Sequence, residues 1–234
     1  MEMRISPIAY ACFLLPCAVI VACYLVSLHT VPDFPVCFPF FSGCISISAA
    51  ARQDPSIHLF RMVMLPMTTV IAGFWLMARS WLLWLGGRRA DANAVGVLGL
   101  VGALFLVLYV VFLGTDGQVY SLLRRFGTTL YFGCTGIAQL LLAVHLVKRR
   151  KDLPPALPAP LLYVILTICV SMLVMGIVYI PAAHAFQASN IENIIEWNFA
   201  TLMQINFGLF SIFWRRQNIT LSLDFGTPTH EPSS

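Results

Sequence analysis

The feature that most constrains this chain is a recurrence of long apolar runs, separated by short polar or proline-bearing stretches. A run of roughly 18 or more apolar residues matches the hydrocarbon thickness of a bilayer and exceeds what a strand or a soluble core helix needs. Six such runs fall at about 7–28, 58–79, 93–114, 128–147, 160–181 and 194–214. They predict an all-α polytopic membrane protein with six transmembrane helices in one domain over residues 1–218. The polar stretch 219–234, ending Pro-Thr-His-Glu-Pro-Ser-Ser, is expected to be a disordered cytoplasmic tail. Arg4 before the first run imitates a signal peptide. The run is too long for a signal h-region and no small-residue cleavage site follows it, so it is expected to stay as an anchor.

Composition agrees with burial in lipid. Hydrophobic residues make up 59% of the chain and charged ones 10%, against roughly a quarter charged in a soluble domain. The basic residues flank the apolar runs and form no separate domain, which argues against nucleic-acid binding. Their distribution sets an orientation. With spans alternating, Arg4, Arg79, Arg88, Arg89, Lys148, Arg149, Arg150, Lys151, Arg215 and Arg216 share one side, and Arg52, Arg61, Arg124 and Arg125 the other. Ten against four predicts that both termini are cytoplasmic. Asn218-Ile-Thr, a glycosylation sequon, then faces the cytosol and is idle.

Within the runs, Pro16 is expected to kink the first span. Gly96, Gly99 and Gly102 thin one flank of the third for close packing. Arg61 and Arg79 lie about 27 Å apart along the second helix, able to snorkel to opposite interfaces. Trp75, Trp81 and Trp84 suit the aromatic belt at the inner end. The run Lys148-Arg-Arg-Lys reads as a topogenic loop facing anionic lipid.

Seven cysteines include five inside apolar runs, Cys12, Cys17, Cys23, Cys134 and Cys169, where the thiol acts as a small hydrophobe. Cys37 and Cys44 share the first loop and are a candidate disulfide if that loop is oxidised. No CxxC or HxxxH spacing occurs, so no metal site and no cofactor is predicted. GxSxG and SxxK are also absent, and no catalytic nucleophile can be assigned.

The remaining polar residues gather on the outer or lumenal side. Glu192 and Glu196, four apart, share a helix face at the start of span six. Asn206 lies about 15 Å further down the same helix, with Gln204 nearby. Arg61, at the lumenal end of span two, is the natural electrostatic partner of Glu196. A structural reading competes with this: glutamates complement a helix dipole, arginines anchor to lipid phosphate, and an asparagine can simply bond a neighbouring helix.

Two segments carry a family resemblance. Phe34-Pro through Phe38-Pro-Phe-Phe-Ser-Gly-Cys-Ile-Ser, with Asp54-Pro and Phe60-Arg61, resembles the first lumenal loop and second span of the Frag/DRAM/Sfk family. Tyr179-Ile-Pro-Ala-Ala-His184, Asn190-Ile-Glu-Asn-Ile-Ile-Glu196-Trp197 and Met203-Gln-Ile-Asn206-Phe are similar to the histidine, glutamate-aromatic and asparagine signature of its sixth span. The family includes the post-GPI-attachment-to-proteins factor of GPI lipid remodelling and the amino-terminal region of the Cwh proteins. Damage-regulated autophagy modulators and a yeast Sfk protein linked to phosphoinositide signalling also belong to it.

The GPI-remodelling branch looks nearest. It implies a Golgi or endoplasmic-reticulum protein in the maturation of GPI-anchored lipids, with membrane lipids and GPI-anchored proteins as partners. A bacterial source would place the chain in the cytoplasmic membrane and remove the GPI reading. In the implied site Arg61 holds a phosphate-bearing headgroup, Glu196 holds Arg61, His184 and Glu192 line the site, and Asn206 orients the span below. Where the family often has a histidine at the start of span four this chain has Arg124-Arg-Phe-Gly. No second histidine follows Asn206, so a histidine-dependent activity is not carried over. The alternative is a membrane adaptor of autophagy or phosphoinositide signalling, meeting protein partners through the cytoplasmic loops 86–92 and 148–155 together with the tail.

Overall fold

The computed structural model describes residues 2–151, 159–186 and 189–222; the side chains of residues 2–3, 178–186, 189 and 222 lie outside that description. Among the described residues six long helices dominate: α1 (Ser6–Thr30), α4 (Ser56–Trp84), α5 (Arg89–Phe112), α6 (Gln118–Lys148), α7 (Ala159–Phe186) and α8 (Ser189–Arg216). The first loop adds two short helices, α2 (Pro39–Ser42) and α3 (Ile47–Ala51). Five of the long helices, all but α8, are long and apolar enough to cross a membrane.

Each long helix packs on its neighbours in sequence, and α8 returns to lie against α1, so the bundle closes as a ring. Between the lipid-like helix surfaces dispersion and close fit must supply the cohesion, because burial from lipid gains little hydrophobic free energy. The glycines of α5 serve that fit. A methyl group on Gly99 would overlap the Trp75 ring, and one on Gly102 would stand 2.6 Å from Thr135 Oγ1. Small residues therefore bring α4 and α6 onto the same helix. Pro16 stays inside α1, buried.

The interior between α4 and α8 is aromatic. Phe74 meets Phe207 and Trp214 with ring centroids 4.9 Å apart in each case, and Trp81 meets Phe213 at 5.2 Å. Tilted and edge-on ring pairs of this kind add to simple area burial. Trp75 and Trp81 are fully interior, at 0% and 3% exposure, and only Trp84, at 73%, faces outward. The expected three-tryptophan belt is thus one tryptophan. The helix period turns Trp75 and Trp81 toward α8, while Trp84 lies past the packed face.

The first and last described segments meet. Strand β1 (Glu2–Arg4) pairs antiparallel with β2 (Thr220–Ser222), Met3 opposite Leu221. The stretch expected to be disordered from residue 219 therefore begins with paired backbone, while residues 223–234 lie outside the described residues. Next to this pair, Ser211 donates to the Ser6 carbonyl at 2.9 Å. At the far end of the same two helices, Tyr24 of α1 meets Trp197 of α8 edge-on at 6.2 Å. So α8 lies antiparallel to α1 from end to end.

Candidate functional site

The end of the bundle opposite the paired termini is closed by the first loop. Proline opens α2, and Gly43 ends it in the left-handed region at φ +60°. That backbone favours glycine, and a Cβ there would collide with the Asn190 carbonyl. Ser46 caps α3 by accepting from Ala49 N at 3.0 Å. Cys37 and Cys44, with Cα atoms 6.6 Å apart, are joined as a disulfide around α2. Ser27 of α1 ties the far end of the loop, donating to the Ala50 carbonyl at 2.8 Å and meeting Ser56 Oγ at 2.8 Å.

The first turns of α8 hold this loop with side chains. Asn193 donates to the Gly43 carbonyl at 2.7 Å, Trp197 to Ile45 at 2.9 Å and Asn198 to Phe40 at 3.0 Å. Glu196 completes the set in the opposite sense: its Oε1 accepts from Ser48 N at 3.3 Å. The carboxylate is placed at the start of α3, where free amides favour negative charge. The polar run Asn190–Asn198 is therefore a clamp written into the end of an apolar helix.

Arg61 is elsewhere. Its Nη2 donates to the carbonyls of Leu113 at 2.6 Å and Val111 at 3.0 Å, and its Nε to Val110 at 3.4 Å. These are carbonyls at the end of α5, which the helix itself leaves without partners. The expected Arg61–Glu196 ion pair does not form. Each side chain finds backbone groups of the opposite polarity nearer at hand, Arg61 at a helix C-terminus and Glu196 at a helix N-terminus. Among the described residues no carboxylate is within ion-pair distance of Arg61; the ion pairs present are His58–Asp54 at 3.5 Å and His145–Asp91 at 3.0 Å.

Glu192 is exposed in the first turn of α8. His184 is on α7, but its side chain lies outside the described residues. Asn206 is fully buried deeper in the bundle, where its Nδ2 donates to Gln139 Oε1 at 3.2 Å and to Cys169 Sγ at 3.1 Å. Gln139 in turn donates to the Met203 carbonyl at 3.0 Å. Asn206 thus belongs to a separate polar knot joining α6, α7 and α8. Gln139 was missed as a partner, although it is the one amide inside the apolar run 128–147 and an asparagine facing it needs such a group.

Among the described residues no three His, Cys, Asp or Glu side chains gather as a metal-binding set. Arg61 is a partly buried guanidinium whose hydrogen-bond partners among the described residues are carbonyls. No family model, curated protein or solved structure matches this chain.

Proposed function

We propose that this chain is a six-span membrane protein of lipid handling, with both termini cytoplasmic, and that it serves the maturation or remodelling of GPI-anchored lipids in the Golgi or endoplasmic reticulum. The observation that carries a headgroup site is the state of Arg61. A guanidinium at the end of a membrane helix, bonded to three carbonyls and, among the described residues, to no carboxylate, has its orientation held while no opposite charge is paired with it. A lipid phosphate is the anion such a group meets at an interface, and the contact would be a charge-assisted hydrogen bond. The GPI assignment rests on the family resemblance of the first loop and of the Glu196–Asn206 segment. In this reading Glu196 acts through the loop it clamps, and Asn206 through the packing of α8; neither touches the headgroup.

Because Arg61 also ties α4 to α5, removal of the whole side chain would confound binding with folding. Arg61→Gln separates them: the amide still donates to a carbonyl, and the charge is gone. In cells that make GPI anchors, Arg61→Gln is expected to insert and to melt near wild type, with GPI lipid profiles shifted toward unremodelled species and slower surface delivery. Wild-type lipid profiles in that variant would remove the site.

A further inference from the structure

A second basic site stands at the opposite end of the bundle, and it is built from two loops far apart in sequence. The α4–α5 turn supplies Arg88 and Arg89, and the end of α6 supplies Lys148, Arg150 and Lys151; all five side chains are exposed. Two contacts lock the two together, and a third braces the turn itself. Arg149 Nη1 donates to the Leu85 carbonyl at 2.5 Å and lies over Gly86, where a Cβ would stand 3.0 Å from it. Asp91 Oδ2 meets His145 Nε2 at 3.0 Å, tying the start of α5 to the end of α6. Arg79 Nε donates to Asn93 Oδ1 at 2.8 Å, tying α4 to the same turn. The two loops are therefore held side by side, and their exposed cations share one end of the bundle.

Little in the described structure offsets them. Asp91 is the only carboxylate within residues 84–92 and 145–151, and its oxygen is engaged by His145. Asp152, next to Lys151, lies outside the described residues. Arg150 donates to the Tyr163 hydroxyl at 2.6 Å, a neutral partner. Trp84, 73% exposed, flanks the group with an amphipathic ring of the kind that settles at headgroup level.

We infer that the α4–α5 turn and the end of α6 together form a binding site for an anionic phospholipid whose headgroup carries more than one negative charge. The positive-inside tendency accounts for basic residues on each loop separately. It does not account for a clamp that brings the two sets together around a single occupied carboxylate. Five exposed cations favour a multiply charged anion over a monoanion, and the adjoining exposed tryptophan favours one that arrives in a membrane. This site is at the other end of the bundle from Arg61 and stands or falls independently of the GPI reading.

The test uses the full chain in phosphatidylcholine nanodiscs, with lipid binding read by native mass spectrometry. The probes are phosphatidylglycerol with one charge, cardiolipin with two, and a phosphatidylinositol phosphate. Both multiply charged lipids are expected to bind at least about tenfold tighter than phosphatidylglycerol, and the preference should shrink as salt is raised. Each neutralised cation is expected to weaken them about fivefold. Hence Arg88→Gln with Arg89→Gln, and separately Lys148→Gln with Lys151→Gln, should each cost about 25-fold. Arg149 and Asp91 stay intact in both variants, so the clamp remains.

Equal binding of all three lipids by the wild type would overturn the inference without reference to any variant. Loss confined to one loop's variant would overturn the composite site. A soluble inositol phosphate that binds as tightly as its lipid would overturn the assignment to a membrane ligand.

Discussion

Glu196 accepts the Ser48 N–H at 3.3 Å in the first turn of α3, and this one bond explains why a carboxylate is kept near the end of an apolar helix. Truncation leaves that amide facing a half-buried site with no acceptor, a loss of about 1–3 kcal/mol. Glu196→Ala is therefore expected to lower stability by that amount and to speed amide exchange across residues 46–51. Glu196→Gln retains an acceptor oxygen at the same place and should cost less than half as much. Exchange across 46–51 that is unchanged in the alanine variant would sink the capping role. The polar character of Glu196 and Asn206 was legible in the sequence, since intramembrane polar residues need partners. The partner of Glu196 was not. A residue's nearest compensating group here is backbone, an α3 amide for Glu196 and α5 carbonyls for Arg61, and side-chain pattern does not reveal where backbone ends will stand.

Helix ends decide the next level. Arg61, Arg149 and His145 each act at a helix terminus or between two of them, so neighbouring elements are joined where their own hydrogen bonding stops. The tie between α5 and α6 has a definite pH sense. The hydrogen bond from His145 holds the Asp91 carboxyl below its ordinary value of 3.8; desolvation opposes it, and the charges of His145, Arg88 and Lys148 add smaller lowering effects. A carboxyl lowered in the folded state contributes above the unfolded value and loses that contribution as pH falls through the folded one. Amide exchange in residues 89–95 should thus be slower in wild type than in Asp91→Asn at neutral pH. The two should converge as pH falls through the lowered value of the folded-state carboxyl. A constant difference down to the lowest pH would show that the carboxylate charge is not what ties the helices. The existence of these elements was readable from apolar runs, because lipid demands a closed helix. Their ends were not: α6 begins at Gln118, ten residues before the run predicted from apolar content, since helix persists outside the hydrocarbon wherever the backbone is satisfied.

At the scale of the whole molecule the pairing of β1 with β2 bears directly on how many helices cross. Two segments that share a small sheet lie on one side of a bilayer, which agrees with the even number of crossings in the six-span proposal. The five helices that are apolar by average content give an odd number. The helix left over is α8, whose average is lowered by Gln204 and Asn206, both buried inside the bundle rather than turned to lipid. From Trp197 to Ser211 it covers about 21 Å beside α1. A helix that keeps its polar groups inward can cross without presenting them to hydrocarbon. Single cysteines at Ala90→Cys and Arg150→Cys should therefore react with a membrane-impermeant maleimide from the side that exposes both chain ends. Asp33→Cys and Asp116→Cys should react only from the other side. If Ala90→Cys and Asp116→Cys were labelled from the same side, α5 would not cross. If the two chain ends were found on opposite sides, α8 would not cross, and the β1–β2 pair could not persist in a membrane.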